Sequence, residues 1–172
     1  FGELVARGTS SSGITFTSAQ ESKAAGDWGQ IMFYDSSVDA SYDGNGDYAS
    51  GSILEYCTVE YGSGILLKLG NPLINQSTIR YHSSSGIKTE SYNSSNSTVT
   101  LKITNNTISN NISSHEGGGI KLYGQGTAII SGNTISDNIA SYGGAGISGD
   151  FSKLMGWADN IRKMKVRTNS ET

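Results

Sequence analysis

From residue 54 onward, aliphatic side chains return in columns. Four rows align without a gap: LEYCTVEY from Leu54, INQSTIRY from Ile74, ITNNTISN from Ile103 and ISGNTISD from Ile130. The first column reads Leu54, Ile74, Ile103 and Ile130, and the sixth reads Val59, Ile79, Ile108 and Ile135. A third apolar column, Ile65, Ile87, Ile120 and Ile147, follows Gly64, Gly86, Gly119 and Gly146. Around each anchor, apolar and polar residues alternate with the period of two that a half-buried strand requires. Successive units lie 20, 29 and 27 residues apart. That spacing is too irregular for stacked helical pairs, but suits a β-solenoid whose extra residues bulge out as loops.

The polar positions carry the same register. Cys57, Ser77, Asn106 and Asn133 form the fourth column, and Thr58, Thr78, Thr107 and Thr134 the fifth. In parallel coils each residue sits about 4.8 Å above its counterpart, so like stacks on like. Asn106 over Asn133 then forms a side-chain amide ladder at a tight turn, where Asn tolerates left-handed backbone and both donates and accepts. The expectation is an all-β parallel solenoid of about five coils over residues 1–150, with three inward anchors per coil.

Composition agrees with many short strands and turns: 23 glycines, one proline and 16% charged residues. The net charge of -3 is uneven, since residues 1–150 carry 7 basic and 13 acidic side chains and the last 22 carry 5 and 2. An acidic body without a basic stripe excludes nucleic acid as the main partner. The single cysteine, Cys57, excludes an intrachain disulfide framework and reads as a packed thiol. No run approaches the ~18 apolar residues of a membrane span. A chain that starts at Phe1 reads as mature, trimmed or part of something larger.

The run GTSSSGITFTSAQESKAAGDWGQIMF, with GSILEYCTVEYG after it, resembles the entry segment and following coil of right-handed parallel β-helix repeat proteins of the pectate-lyase-like superfamily, in their secreted bacterial group. The resemblance covers about residues 2–149 and implies the handedness, an extracellular or cell-surface location, and a polysaccharide or cell-surface glycan as partner. It leaves activity open, because the group includes lyases, hydrolases, epimerases, adhesins and non-catalytic modules. Residues 151–172 lack the columns. They read either as a short amphipathic helix, with Leu154, Trp157, Ile161 and Met164 on one side, capping the open end, or as a remnant where a longer solenoid is cut.

Candidate chemistry is sparse. After the Gly-Ile columns the outward residues are Leu66, Lys88, Lys121 and Ser148, which sets Lys88 beside Lys121 if the coils are consecutive. In lyases of the resembled superfamily this face carries basic residues and a carboxylate cluster that grip and deprotonate an acidic sugar. Here the carboxylates are expected to be missing, so the lysines form a solvated row or bind an anionic glycan. Tyr92, Tyr123 and Tyr142 fall in loops and could offer sugar-stacking platforms, while Tyr61 and Tyr81 are expected to pack inward.

Glu116, Asp137 and Asp150 are the only carboxylates near the C-terminal coils, and Glu116 and Asp137 are weak candidates for a catalytic pair. His82 and His115 are expected in loops. The acidic insertion DSSVDASYDGNGDYASG is expected to form a solvated hairpin, or to hold Ca²⁺ through Asp43, Asn45 and Asp47. No cofactor is required by anything else in the chain. A Thr column invites an ice-binding reading, which the uneven neighbours Glu60, Arg80, Ser109 and Ser136 argue against. The reading that results is a non-catalytic extracellular scaffold or glycan-binding module, with a polysaccharide lyase, hydrolase or epimerase as the alternative.

Overall fold

The computed structural model describes residues 2–90, 100–155, 160–162 and 165–166, with backbone alone at 100, at 124–126 and from 150 onward. Each coil makes three parallel strands. The first face stacks Val5–Arg7, Ile53–Glu55, Leu73–Asn75, Thr100–Thr104 and the second half of Ile120–Ser131. The second stacks Ile14–Phe16, Cys57–Glu60, Thr78–Arg80, Thr107–Ser109, Thr134–Ser136 and Asn160–Arg162. The third stacks Ile31–Tyr34, Ile65–Lys68, Ile87–Thr89, the first half of Ile120–Ser131 and the start of Ile147–Met155. A minor ladder of Ile112–Ser113, Ile139–Ala140 and Lys165–Val166 follows the second face in chain order.

The aliphatic columns stack in the register read from the sequence. Leu54 pairs with Ile74, Ile74 with Ile103 and Ile103 with Ile130, and the other two columns do likewise. Every column member except Ile147 is at most 2% exposed, so these columns are the core. Burying each such side chain contributes about 1.5–3 kcal/mol. The entry segment proves to be a coil itself: Ala6 lies under Leu54, Phe16 under Val59 and Ile31 under Ile65.

Two corners per coil are built identically. The third position of each row is left-handed, at Tyr56 (φ 51°), Gln76 (47°), Asn105 (58°) and Gly132 (68°). So is the eighth, at Tyr61 (61°), Tyr81 (57°), Asn110 (57°) and Asp137 (55°). For an L residue that conformation costs roughly 1–2 kcal/mol, and from Ser77 and His82 onward the buried side chain that follows each corner supplies the offset. Asn106 Oδ1 accepts the Ser77 N–H at 2.9 Å while its Nδ2 donates to the Ile74 carbonyl at 3.0 Å. Asn133 repeats the pair on Asn106 and Ile103, at 3.0 and 2.9 Å.

A second ladder, absent from the sequence reading, follows the other corner. Asn111 bridges the His82 N–H and Ile79 carbonyl at 3.1 and 3.2 Å, and Asn138 bridges Asn111 and Ile108 at 3.0 and 2.9 Å. His82, expected in a loop, is fully buried and continues this ladder with an imidazole. Its Nδ1 accepts the Gly62 N–H at 3.1 Å and its Nε2 lies 3.0 Å from the Val59 carbonyl, which selects the Nε2–H tautomer. Burial pushes its pKa down, against the pull of the Val59 carbonyl and the Glu60 charge.

The Gly-Ile columns need glycine for a different reason. Gly64 has φ 90°, and a Cβ there would land on the Ser85 carbonyl oxygen of the next coil.

Two expectations are corrected. Where described, the tail is strand and not helix: Asn160–Arg162 extends the second face and Lys165–Val166 the minor ladder. The exposed edges of Thr134–Ser136 and Ile139–Ala140 offer unpaired backbone groups, and an extended chain satisfies them better than a helix does. Trp157 and Met164 lie outside the described residues. Tyr61 and Tyr81 do not pack inward. Their left-handed corners turn them outward, where their rings stack at 5.2 Å beneath Lys23 and Arg80.

Candidate functional site

The third corner, from the third face to the first, has no common construction. Residues 69–72 bridge it in one coil, whereas in a later one Ile120–Ser131 runs straight through. In the amino-terminal coil an antiparallel hairpin, Ser41–Tyr42 with Tyr48–Ser50, fills it. Loops with this freedom are where a rigid scaffold carries binding groups.

On the third face, Met32, Leu66, Lys88, Lys121 and Ser148 form one outward column. Lys88 and Lys121 are direct neighbours, as the spacing implied. The expected lack of acids on this face is corrected. Glu90 shares the outward parity of Lys88 and its Oε1 lies 2.5 Å from the Lys88 ammonium; Glu116 Oε2 lies 3.6 Å from Lys121. The period of two in IKTE already held Glu90. Only the closed coil could reveal Glu116, which reaches the face from the loop before Gly117.

Two open grooves meet at Lys121 and Tyr123. One, of about 310 Å³, is bounded by Lys88, Thr89 and Glu90; the other, of about 330 Å³, by Glu116, Leu122 and Ser148. Tyr123, expected in a loop, lies instead within the strand Ile120–Ser131; it is 61% exposed, and the Thr89 hydroxyl anchors its backbone, accepting its N–H at 2.7 Å and donating to its carbonyl at 3.1 Å. The hydrogen bond from Lys88 pulls the Glu90 pKa down against desolvation, and the charges of Lys88, Lys68 and Lys121 add to the pull. Asp27, bonded by the Ala24 N–H and the Ser18 hydroxyl, is also held below the usual carboxylate range. So is Glu60, where burial is the largest influence and opposes the shift, but Arg80, Thr17 and Lys23 together outweigh it.

The remaining candidates are dispersed. Asp137 occupies a left-handed corner and borders neither groove, so it is not brought to Glu116. Tyr142 is 52% exposed, in the loop after Ile139–Ala140, with its N–H 3.3 Å from the exposed His115's carbonyl; it borders neither groove. Tyr92 and the Asp150 side chain lie outside the described residues. In the hairpin, Asp43 Oδ1 accepts the N–H groups of Asn45 and Asp47 at 2.9 and 3.0 Å, which makes it a turn cap. Among the described residues, no three His, Cys, Asp or Glu side chains converge as metal ligands, and no helix is long and apolar enough to cross a membrane.

Stacked parallel faces with polar ladders at their corners define a β-helix. The chain belongs to that family: the family described as "Right handed beta helix region" matches residues 46–160. No curated protein and no solved structure matches the chain.

Proposed function

We propose that this β-helix domain is a glycan-binding module that acts outside the cell or at its surface, has no catalysis of its own, and takes an acidic saccharide on its third face. The observation that carries this reading is the pairing of Lys88 and Lys121 in adjacent coils along open grooves, with exposed Tyr123 beside them. Three ammonium groups, Lys68, Lys88 and Lys121, act on Glu90, so the neighbourhood favours anions. A sugar carboxylate can displace the partly exposed Glu90 and Glu116 from their lysines, because such ion pairs contribute little in water. Tyr123 offers a ring for the apolar side of a pyranose.

A specific observation favours a second reading, a polysaccharide-active enzyme: two carboxylates and two lysines do gather on one face. Against it, a glycosidase acid needs a carboxyl held protonated near neutral pH, and Glu90 is displaced the other way. The test is titration with oligogalacturonate, with and without calcium, together with an assay for new reducing ends and unsaturated products. Binding without turnover, weakened about tenfold by Lys88→Ala or Lys121→Ala, is the expected outcome. Turnover abolished by Glu90→Gln or Glu116→Gln would replace the module with the enzyme. A calcium requirement removed by Asp43→Asn would bring the hairpin into the site.

A further inference from the structure

The first face carries a different surface. Its outward positions form two columns. One, Val5, Ile53, Leu73, Lys102 and Ile129, is apolar at its centre, where Tyr42 and Tyr48 of the hairpin cover Ile53 and Leu73. The other, Arg7, Glu55, Asn75, Thr104 and Ser131, is polar in every coil. Between the hairpin and this polar column lies a trough of about 490 Å³, larger than either groove on the third face.

Both walls are held in place. Lys102 Nζ donates to the Gly46 carbonyl at 2.7 Å and sits 3.6 Å over the Tyr42 ring, which ties the hairpin down from a coil 56 residues away. Along the column, the Thr104 hydroxyl donates to Asn75 Oδ1 at 2.9 Å, Asn75 Nδ2 to Glu55 Oε1 at 3.1 Å, and Arg7 Nε to Glu55 Oε2 at 2.9 Å. A wired column of this kind is preorganised, so a ligand need not order it.

The charges offset. Arg7 faces Glu55, and Lys102 and Asp47 both line the trough. No net charge remains to attract a polyanion, in contrast to the lysines of the third face. What remains is spare hydrogen-bonding capacity at Asn75, Thr104 and Ser131, repeated about every 4.8 Å along the solenoid axis. The capacity left is one N–H at Asn75, whose Oδ1 already accepts from Thr104 and Asn105, and the lone pairs of the Thr104 hydroxyl, and such alternating donors and acceptors match a ligand that presents hydroxyls at regular intervals.

We propose that this trough binds a neutral, hydroxyl-rich oligosaccharide laid along the solenoid axis, at a site separate from the lysine grooves. The inference does not rest on the anionic-glycan reading. Wild type, the pair Asn75→Ala with Thr104→Val, and the pair Lys88→Ala with Lys121→Ala are titrated calorimetrically with cellohexaose, maltohexaose and mannohexaose. At least one hexaose is expected to bind, with affinity at least tenfold lower in the Asn75/Thr104 pair and unchanged in the lysine pair. Thermal unfolding checks that each variant is folded. Lys102→Met, which keeps a stem over Tyr42 but loses the Gly46 bond, is expected to weaken the same hexaose severalfold. If none of the three sugars binds, or if the lysine pair and not the Asn75/Thr104 pair loses binding, the proposal is overturned. If oligogalacturonate fails to bind while a hexaose binds in this pattern, only the lysine-groove reading falls.

Discussion

The corners on either side of the second face are copies of one another from coil to coil, whereas the corner between the third and first faces, among the described residues, is closed in three different ways. At the repeated corners, from Ser77 and His82 onward, a left-handed residue is followed by a buried side chain that bridges an N–H and a carbonyl of the previous coil. At the variable corner, a four-residue link, a hairpin and a continuous strand all close the coil. The difference teaches where constraint lies. A buried backbone group must find a partner, so the ladder positions admit few residue types, while an exposed loop need only span the gap.

The largest effects are expected in the columns and ladders. Ile108→Ala empties a fully buried position between Ile79 and Ile135 and should cost about 2–5 kcal/mol in chemical denaturation. Asn106→Ala strands the Ser77 N–H and the Ile74 carbonyl, and should cost about 2–4 kcal/mol by the same measurement. An Asn106→Ala loss below about 0.5 kcal/mol would remove the distinction between the two kinds of corner. Asp137 sharpens the backbone half of the comparison, since it is exposed and left-handed. Asp137→Val should lose about 1–2 kcal/mol and Asp137→Gly should be close to neutral. At the variable corner, Tyr123→Ala should change stability by no more than about 0.5 kcal/mol yet weaken oligogalacturonate binding, which separates scaffold from site.

Much of the architecture is legible in the sequence because the inward columns tolerate only aliphatics. Leu54, Val59 and Ile65 stack with their counterparts in the register that the gapless rows imply. The ladder of Asn106 and Asn133 was legible for the same reason. The ladder of Asn111 and Asn138 was hidden because its earlier rung is His82, which shares no side-chain type with Asn and takes the place through hydrogen-bond geometry, and the coil before that has Gly62, with no side chain to form a rung. The site was less legible. Glu90 could have been read from strand parity, but Glu116 and the trough beneath the hairpin depend on how loops fold back, and that leaves no period in the chain. The tail misled because its apolar spacing resembled a helix, while the open sheet edge offered stronger bonds to a strand.

The central claim is that ladder positions are chosen for their bridging bonds, and His82 tests it most directly. Its neutral imidazole fills a rung that Asn fills in the next two coils, and protonating Nδ1 would set a donor against the Gly62 N–H. Because burial lowers its folded pKa below the ordinary value of 6.5, the unfolded chain takes up the proton first as pH falls. Its contribution is therefore complete above pH 6.5 and lost as pH falls below that value. The depressed carboxyls Glu60 and Glu90 contribute in a separate window, lost only as pH falls below 4.5. The measurement is the unfolding free energy of wild type and His82→Asn at about pH 7.5 and about pH 5. Wild type should lose stability on acidification, while His82→Asn should lose much less and match wild type within about 1.5 kcal/mol at the higher pH. Equal acid sensitivity in both proteins, or a collapse of the variant at the higher pH, would contradict the account.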